Sequence, residues 1–471
     1  MQILLRSLPI ALLIAVAAGC SDDAGAPGNP PGTCGFSPSG KAGAVTVTPG
    51  ASVSHAKASI TAQNTPELDE KGHLAGPAFG TLRRGSCGDV GLVIKKANGT
   101  DTELLYVDAK TAKTEIVEAK AKSIRNTSLF FDAACSPIVV HGTSSKYEQY
   151  TRDKGTWSKS VILGDTATVL PAKPTSFQHV ASTIGADSKL YVFAKAKVND
   201  KSMLVRGVRD ATAAAKWSFE ALPGPAATEI YSYRVDAKGN TVLLYRNTKY
   251  PCDPCNVDLK LGTLAAKATS WTEVIVQVGH WGAPADAFVE SGSLAFDKAG
   301  DPIVAAHFVR RGLTGSYKST ELRIYGQKAD KWCGETVATT DDSFAGTDGN
   351  KFTGSRPKLF IDDADRLHLI FNDLSVWHAN SNENAMRGQL RYAIRAGDKW
   401  TITTVVKQKG QVASKSPLHG FGNATFAVSP DGKEAIVGGL MQSWETDSIY
   451  NSDSKPATVE TVSIPLMIAA P

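Results

Sequence analysis

The stretch FVESGSLAFDKAGDPIVAAHF, Phe288 to Phe308, decides how the rest of the chain is read. It predicts a short strand over Ser293–Phe296, a tight turn opened by Asp297 with Gly300 inside it, and an apolar strand over Pro302–Phe308. Asp at the head of such a turn bonds its own backbone through its side chain. Gly supplies the positive φ that the reversal needs.

Copies of this unit recur. Asp132, Gly185, Asp236, Asp362 and Ser429 stand where Asp297 stands, at spacings of about 50–70 residues, and a weaker copy lies at Gly85–Val93. A second marker follows each turn: Trp157, Trp217, Trp271, Trp332 and Trp400 each start a strand after a polar turn. Between turn and Trp the apolar residues alternate, as in Leu390, Tyr392 and Ile394. Each unit is therefore four short antiparallel strands. Four-stranded units at this period build an all-β propeller, seven-bladed when the weak first copy is counted and six-bladed otherwise. Only two clear strands follow Ser429, whereas Ala42–Ile60 has strand character and no blade of its own. That stretch is expected to complete the last blade and join the chain ends.

The Asp-x-x-Gly-x-Pro-x-Val turn and the later Trp resemble those of bacterial propellers built from sialidase-like (BNR-type) repeats, over residues 85–471. The Asp-box of true sialidases is absent and no arginine triad can be assigned, so no catalytic residue is carried over.

The N-terminus reads as a targeting signal over 1–19. Arg6 precedes an apolar run, Leu8 to Ala18, long enough for export and too short to span as a lasting helix. The run ends Ala17-Ala18-Gly19-Cys20, which resembles the bacterial lipoprotein processing box, with Ala17 where Leu is usual. The resemblance implies lipidation of Cys20 and anchoring in the cell envelope. Ser21 rather than Asp after the Cys implies the outer membrane of a Gram-negative cell. An ordinary secretory signal, with a secreted or periplasmic protein, is the alternative. Residues 20–40 are rich in Pro, Gly and small polar residues and read as a flexible tether; 41–471 is the propeller.

Of the 471 residues 42% are hydrophobic and 21% charged, which suits a large core. The net charge of +5 comes from scattered lysines, which argues against a nucleic-acid partner. Six cysteines follow Cys20, an even number that in an exported chain reads as disulfides. Cys87 and Cys135 occupy similar places in neighbouring units and are candidates to pair. Cys252 and Cys255 read as a loop-closing disulfide, because a strand and not a helix follows them.

In an up-and-down blade, successive connections alternate between the two ends of the ring. The Asp turns share one end, so the long crossings share the other, where binding is expected. Five tryptophans belong to the repeat. The other three, Trp281, Trp377 and Trp444, fall in long crossings, near His307, Arg310, Arg311 and His378. Aromatic faces beside such polar groups suit a sugar ring. A glycan or a cell-surface protein is the expected partner, and packing of the loops against one another is the competing reading. Asp341, Asp342 and Asp348 lack the spacing of a calcium loop, and Asp362, Asp363 and Asp365 belong to a repeat turn. No metal site, cofactor motif or nucleophile arrangement is found. A glycosidase or polysaccharide lyase on the same face stays open beside the binding reading, since the fold hosts both.

Overall fold

The computed structural model describes residues 45–59 and 82–469, except 99–100, 122–125, 144–145, 165–169, 173, 175, 213–214, 226–228, 247–254, 282–285, 312–316, 329–330, 340–349, 377–387, 407–417 and 445–457. Its strands form seven antiparallel sheets, the seven blades of a propeller. In blades 1 to 6 four main strands run in chain order from the bore outward, and blade 5 carries two further short strands on its inner edge, Cys255–Asn256 and His280–Trp281. The innermost strands are Leu82–Arg84, Asn126–Phe131, Ser176–Ile184, Glu229–Val235, Asp286–Phe296, Asn350–Ile361 and Leu418–Val428. Each touches the next, and the seventh touches the first, so they line a central bore.

The ends of the chain meet in blade 7. Leu418–Val428, Glu434–Trp444 and Thr458–Ala469 supply three strands. Thr46–Pro49 and Val53–Ser59 both pair with Thr458–Ala469 and form the fourth, as the strand character of 42–60 predicts. The break between them falls at Gly50, whose N–H still donates to the Pro465 carbonyl at 2.8 Å.

The core is divided the same way. Seven apolar clusters fill the seven gaps between neighbouring blades. A blade's second strand is covered on both faces and so reads as an unbroken apolar run; Pro137–Gly142 is buried throughout. The outer strands are tied across blades by four of the five repeat tryptophans. Trp157 donates its indole N–H to Glu115 at 3.3 Å, Trp217 to Gln149 at 2.7 Å, Trp271 to the Pro223 carbonyl at 3.1 Å and Trp400 to Glu335 at 2.8 Å, each on the preceding blade. In blades 2, 3 and 6 an arginine grips the same acceptor: Arg152 on Glu115 at 2.6 Å, Arg209 on Gln149 at 3.1 Å, Arg395 on Glu335 at 3.0 Å.

One backbone geometry repeats in the short turns. The fourth turn residue has positive φ in all seven blades: Gly88, Cys135, Ser188, Gly239, Gly300, Asp365 and Gly432. The first residue holds the turn by its side chain where it can. Asp236 Oδ1 accepts the N–H groups of Lys238 and Asn240 at 2.9 and 2.8 Å. Asp132 and Asp362 do the same, and Ser429 Oγ accepts Glu434 N–H at 3.0 Å. A disulfide joins Cys87 and Cys135, Cα atoms 6.1 Å apart, and so links the turns of blades 1 and 2. Of the second expected pair, Cys252 lies outside the described residues. Cys255 begins a two-residue strand that pairs with His280–Trp281.

Two outcomes are expected from this frame. Gly300 has φ +87° and open space where a Cβ would go, so Gly300→Ala isolates the cost of a left-handed L-residue. Urea melts should show a loss of roughly 1–2 kcal/mol. Replacing Cys87 and Cys135 together by Ser releases a constraint across 48 residues. It should cost about 2–4 kcal/mol, matched by wild-type protein melted under reductant.

Candidate functional site

The two ends of the ring differ as the alternation of connections predicts. The short turns occupy one end, and the other carries the long crossings. Trp444 closes a strand whose first residue, Glu434, adjoins the Ser429 turn; Trp444 therefore stands at the long-crossing end. His280–Trp281 pairs with Ala287 on the inner edge of blade 5, on the bore side and at that same end. Sequence reasoning places Trp281 in a loop, but the structure gives it a short strand, because Cys255–Asn256 pairs with it from the opposite side. His307, Arg310 and Arg311 follow one another along the second strand of blade 5, Pro302–Arg311, toward the long crossings. Trp377 and His378 lie outside the described residues.

The inner strands carry a feature that single-strand patterning does not reveal. Blades 3 to 7 each have an irregularity between the first and second strands, at nearly one level. In blade 4 the extra residue is Tyr231; in blade 5 it is Glu290. In blade 6 it falls at Arg356-Pro357, and Arg356 has φ +52°. A bulge breaks the alternation of side chains and re-aims the residue it inserts.

The neighbours of these residues are polar and aromatic. Tyr231 donates its hydroxyl to the Val289 carbonyl on blade 5 at 3.0 Å. Burial first, then the charges of Glu229 and Glu290, raise its pKa, and Arg246 opposes them. Tyr231 thus stays a protonated donor. Arg246 bonds Glu229 at 2.5 Å and lies over the Phe288 ring. Glu290 keeps 27% of its side chain exposed, with His307 Nδ1 at 3.8 Å behind it. His307 itself is only 1% exposed, which suits a group that positions Glu290 rather than one that meets a ligand. Arg310 and Arg323 both bond Glu321, at 3.5 and 2.8 Å, and both lie over Phe308. Arg356 N–H donates to Ser291 Oγ at 3.1 Å, tying blade 6 to blade 5. The result is a group of carboxylates, guanidinium groups and a phenol across blades 4 to 6, with the Phe288 and Phe308 rings buried beneath the guanidinium groups. Such a group can hydrogen-bond hydroxyls.

No family model matches the chain, and no curated protein does. Solved structures match it at low identity and low TM-score. A crystal structure of the polysaccharide lyase Uly1 matches with a TM-score of 0.49 at 10% identity, covering 83% of this chain and 90% of that one. A PL25 ulvan lyase matches with a TM-score of 0.41 at 10% identity, covering 80% and 92%. TolB from Acinetobacter baumannii matches with a TM-score of 0.31 at 11% identity, covering 80% and 78%. Likeness at these identities concerns the fold alone.

The acidic cluster at Asp362 is part of the scaffold. Asp362 and His368 are fully buried side chains 2.9 Å apart, and Arg366 bonds the same carboxylate oxygen at 2.7 Å. Asp362 can only accept from His368 Nε2–H, so His368 Nδ1 accepts the hydroxyl of Tyr392. Burial alone would raise the carboxyl of Asp362; hydrogen bonds from His368 and Arg366 bring it down to about 2. Burial lowers the pKa of His368 against the pull of Asp362. Both groups thus have folded pKa values below their unfolded ones. Their contribution is complete above the unfolded values and is lost as pH falls. Unfolding free energy should fall as the pH drops below the ordinary His368 value of 6.5. A further fall should come as Asp362 protonates, between its ordinary 3.8 and about 2. His368→Gln should remove the first limb in melts across pH and shrink the second, which Arg366 still supports; a profile with the first limb intact refutes this role.

Proposed function

We propose that this chain is a lipid-anchored cell-envelope propeller whose long-crossing face binds a glycan. The observation that carries the reading is the row of inner-strand bulges, which brings Tyr231, Glu290 and Arg356 out of alternation on three adjacent blades. Behind them stand guanidinium–carboxylate pairs laid on Phe288 and Phe308. Trp281, Arg310, Arg311, Trp377, His378 and Trp444 belong to the same binding face. The ancestry of the repeat is sialidase-like, and Cys20 carries the lipid that holds the protein at the outer membrane. A cell-surface protein bearing such a glycan is the corresponding macromolecular partner.

The convergence of Tyr231 and Glu290 favours a second reading, a polysaccharide lyase in which a carboxylate and a phenol exchange protons with the substrate. Binding is preferred because His307, the imidazole 3.8 Å from Glu290, is buried behind it.

The test is a glycan array probed with residues 41–471, with Trp377→Ala, Trp444→Ala and Glu290→Gln beside it. A defined set of glycans should bind, and each variant should lose about tenfold or more in affinity, about 1.4 kcal/mol. No binding, or binding unchanged in all three variants, removes the proposal. Accumulation of unsaturated uronate ends from a bound glycan, lost in Tyr231→Phe, moves the assignment from binding to elimination.

A further inference from the structure

The inner strands carry a second group of residues, nearer the short turns. Arg83 and Arg234 occupy the same place in the repeat, two residues before the first turn residues Gly85 and Asp236. Lys358 stands four residues before Asp362, and Arg356 two further. These residues come from blades 1, 4 and 6, spread round the bore about as evenly as seven blades allow. Arg83 Nη2 donates to the Ser182 carbonyl at 3.2 Å. Ser182 belongs to blade 3, so the guanidinium passes the inner strand of blade 2 to reach it. Arg234 Nη1 donates to the Tyr233 carbonyl at 2.9 Å. The buried Nε–H of Arg83 has no acceptor among the described residues.

The charges lie within reach of one another. Burial lowers the Arg83 guanidinium to about 10. Burial, and then the charge of Arg83, lowers that of Arg234 to about 10. Burial, then Arg356 and Arg234, depress the ammonium of Lys358. Among the described residues no carboxylate is one of the charges that move Arg83 or Arg234. Like charges gathered where protein has displaced water repel strongly. An anion placed there supplies an acceptor for the Arg83 Nε–H and offsets the repulsion.

We propose that the short-turn half of the bore is a binding site for one oxyanion, a sulfate, phosphate or carboxylate group held between Arg83, Arg234 and Lys358. The group enters either as a free inorganic ion or as an acidic substituent of a larger ligand reaching down the bore. The site lies on the short-turn side of the bulges, with Arg356 between the two, and does not depend on the glycan reading.

Titration calorimetry of the folded protein with sodium sulfate and with sodium phosphate, against sodium chloride at matched ionic strength, tests this. Calorimetry decides it because sulfate also stabilises proteins by exclusion from their surface. Saturable binding of one ion per chain is expected, weakened at least tenfold in both Arg234→Gln and Lys358→Met. A cooperative thermal melt of each variant shows that it folds. A sulfated oligosaccharide that competes with inorganic sulfate identifies the larger ligand as the source, and failure to compete identifies the free ion. No saturable heat with either anion, or equal affinity in wild type and both variants, overturns the proposal.

Discussion

Every blade of this protein has two apolar faces, and each is buried only by a neighbour. A row of such blades always leaves two faces in water unless the first packs on the last. Ala427 and Ile436 of blade 7 do pack with Leu82, Leu92 and Leu105 of blade 1. What keeps those two blades together is covalent continuity turned to account: Thr46–Ser59 hydrogen-bonds along Thr458–Ala469. Separating blade 7 from blade 1 then requires breaking a strand pair as well as exposing a core cluster. The other six apolar clusters rest on that closure, since each is a gap in a circle rather than a centre in its own right.

At the short-turn end the backbone is held several times over. The Asp and Ser side chains cap their own turns, and neighbouring turns are bonded to one another. Asp363 N–H reaches the Pro430 carbonyl at 2.9 Å, Arg366 the Asp431 carbonyl at 2.6 Å, and Ala186 N–H the Val235 carbonyl at 3.3 Å. With the Cys87–Cys135 bridge, this end forms a cross-linked belt. The long crossings can therefore vary in length and sequence without disturbing the frame, the condition under which loops take on recognition.

Much of the frame was legible in the sequence because its chemistry is local. A turn that needs an acceptor at its first position and a left-handed fourth residue writes Asp and Gly at fixed offsets. Even the weak copy at Gly85 proved to be a blade. The outer tryptophans were legible for the same reason, with one in each of blades 2 to 6. Their partners were not, because Glu115, Gln149 and Glu335 sit on the preceding blade. The spacing of Arg152 to Trp157, repeated in Arg395 to Trp400, was the signal available for the clamp. The bulges at Tyr231 and Glu290 left no mark, since a bulge depends on how two strands align and not on either alone. The bore cations were half-legible: Arg83 and Arg234 coincide once the repeats are superposed, but Lys358 is offset by two residues and joins them only in three dimensions.

The direction of the closing strand has one further consequence. Thr46 lies opposite Ala469, beside the Glu434 side of blade 7, and Ser59 lies opposite Thr458 at the far side. The polypeptide therefore enters the ring at the belt of short turns. Which end of the ring receives the chain, the one opposite the long crossings, is thus set by the direction in which a single β-strand runs.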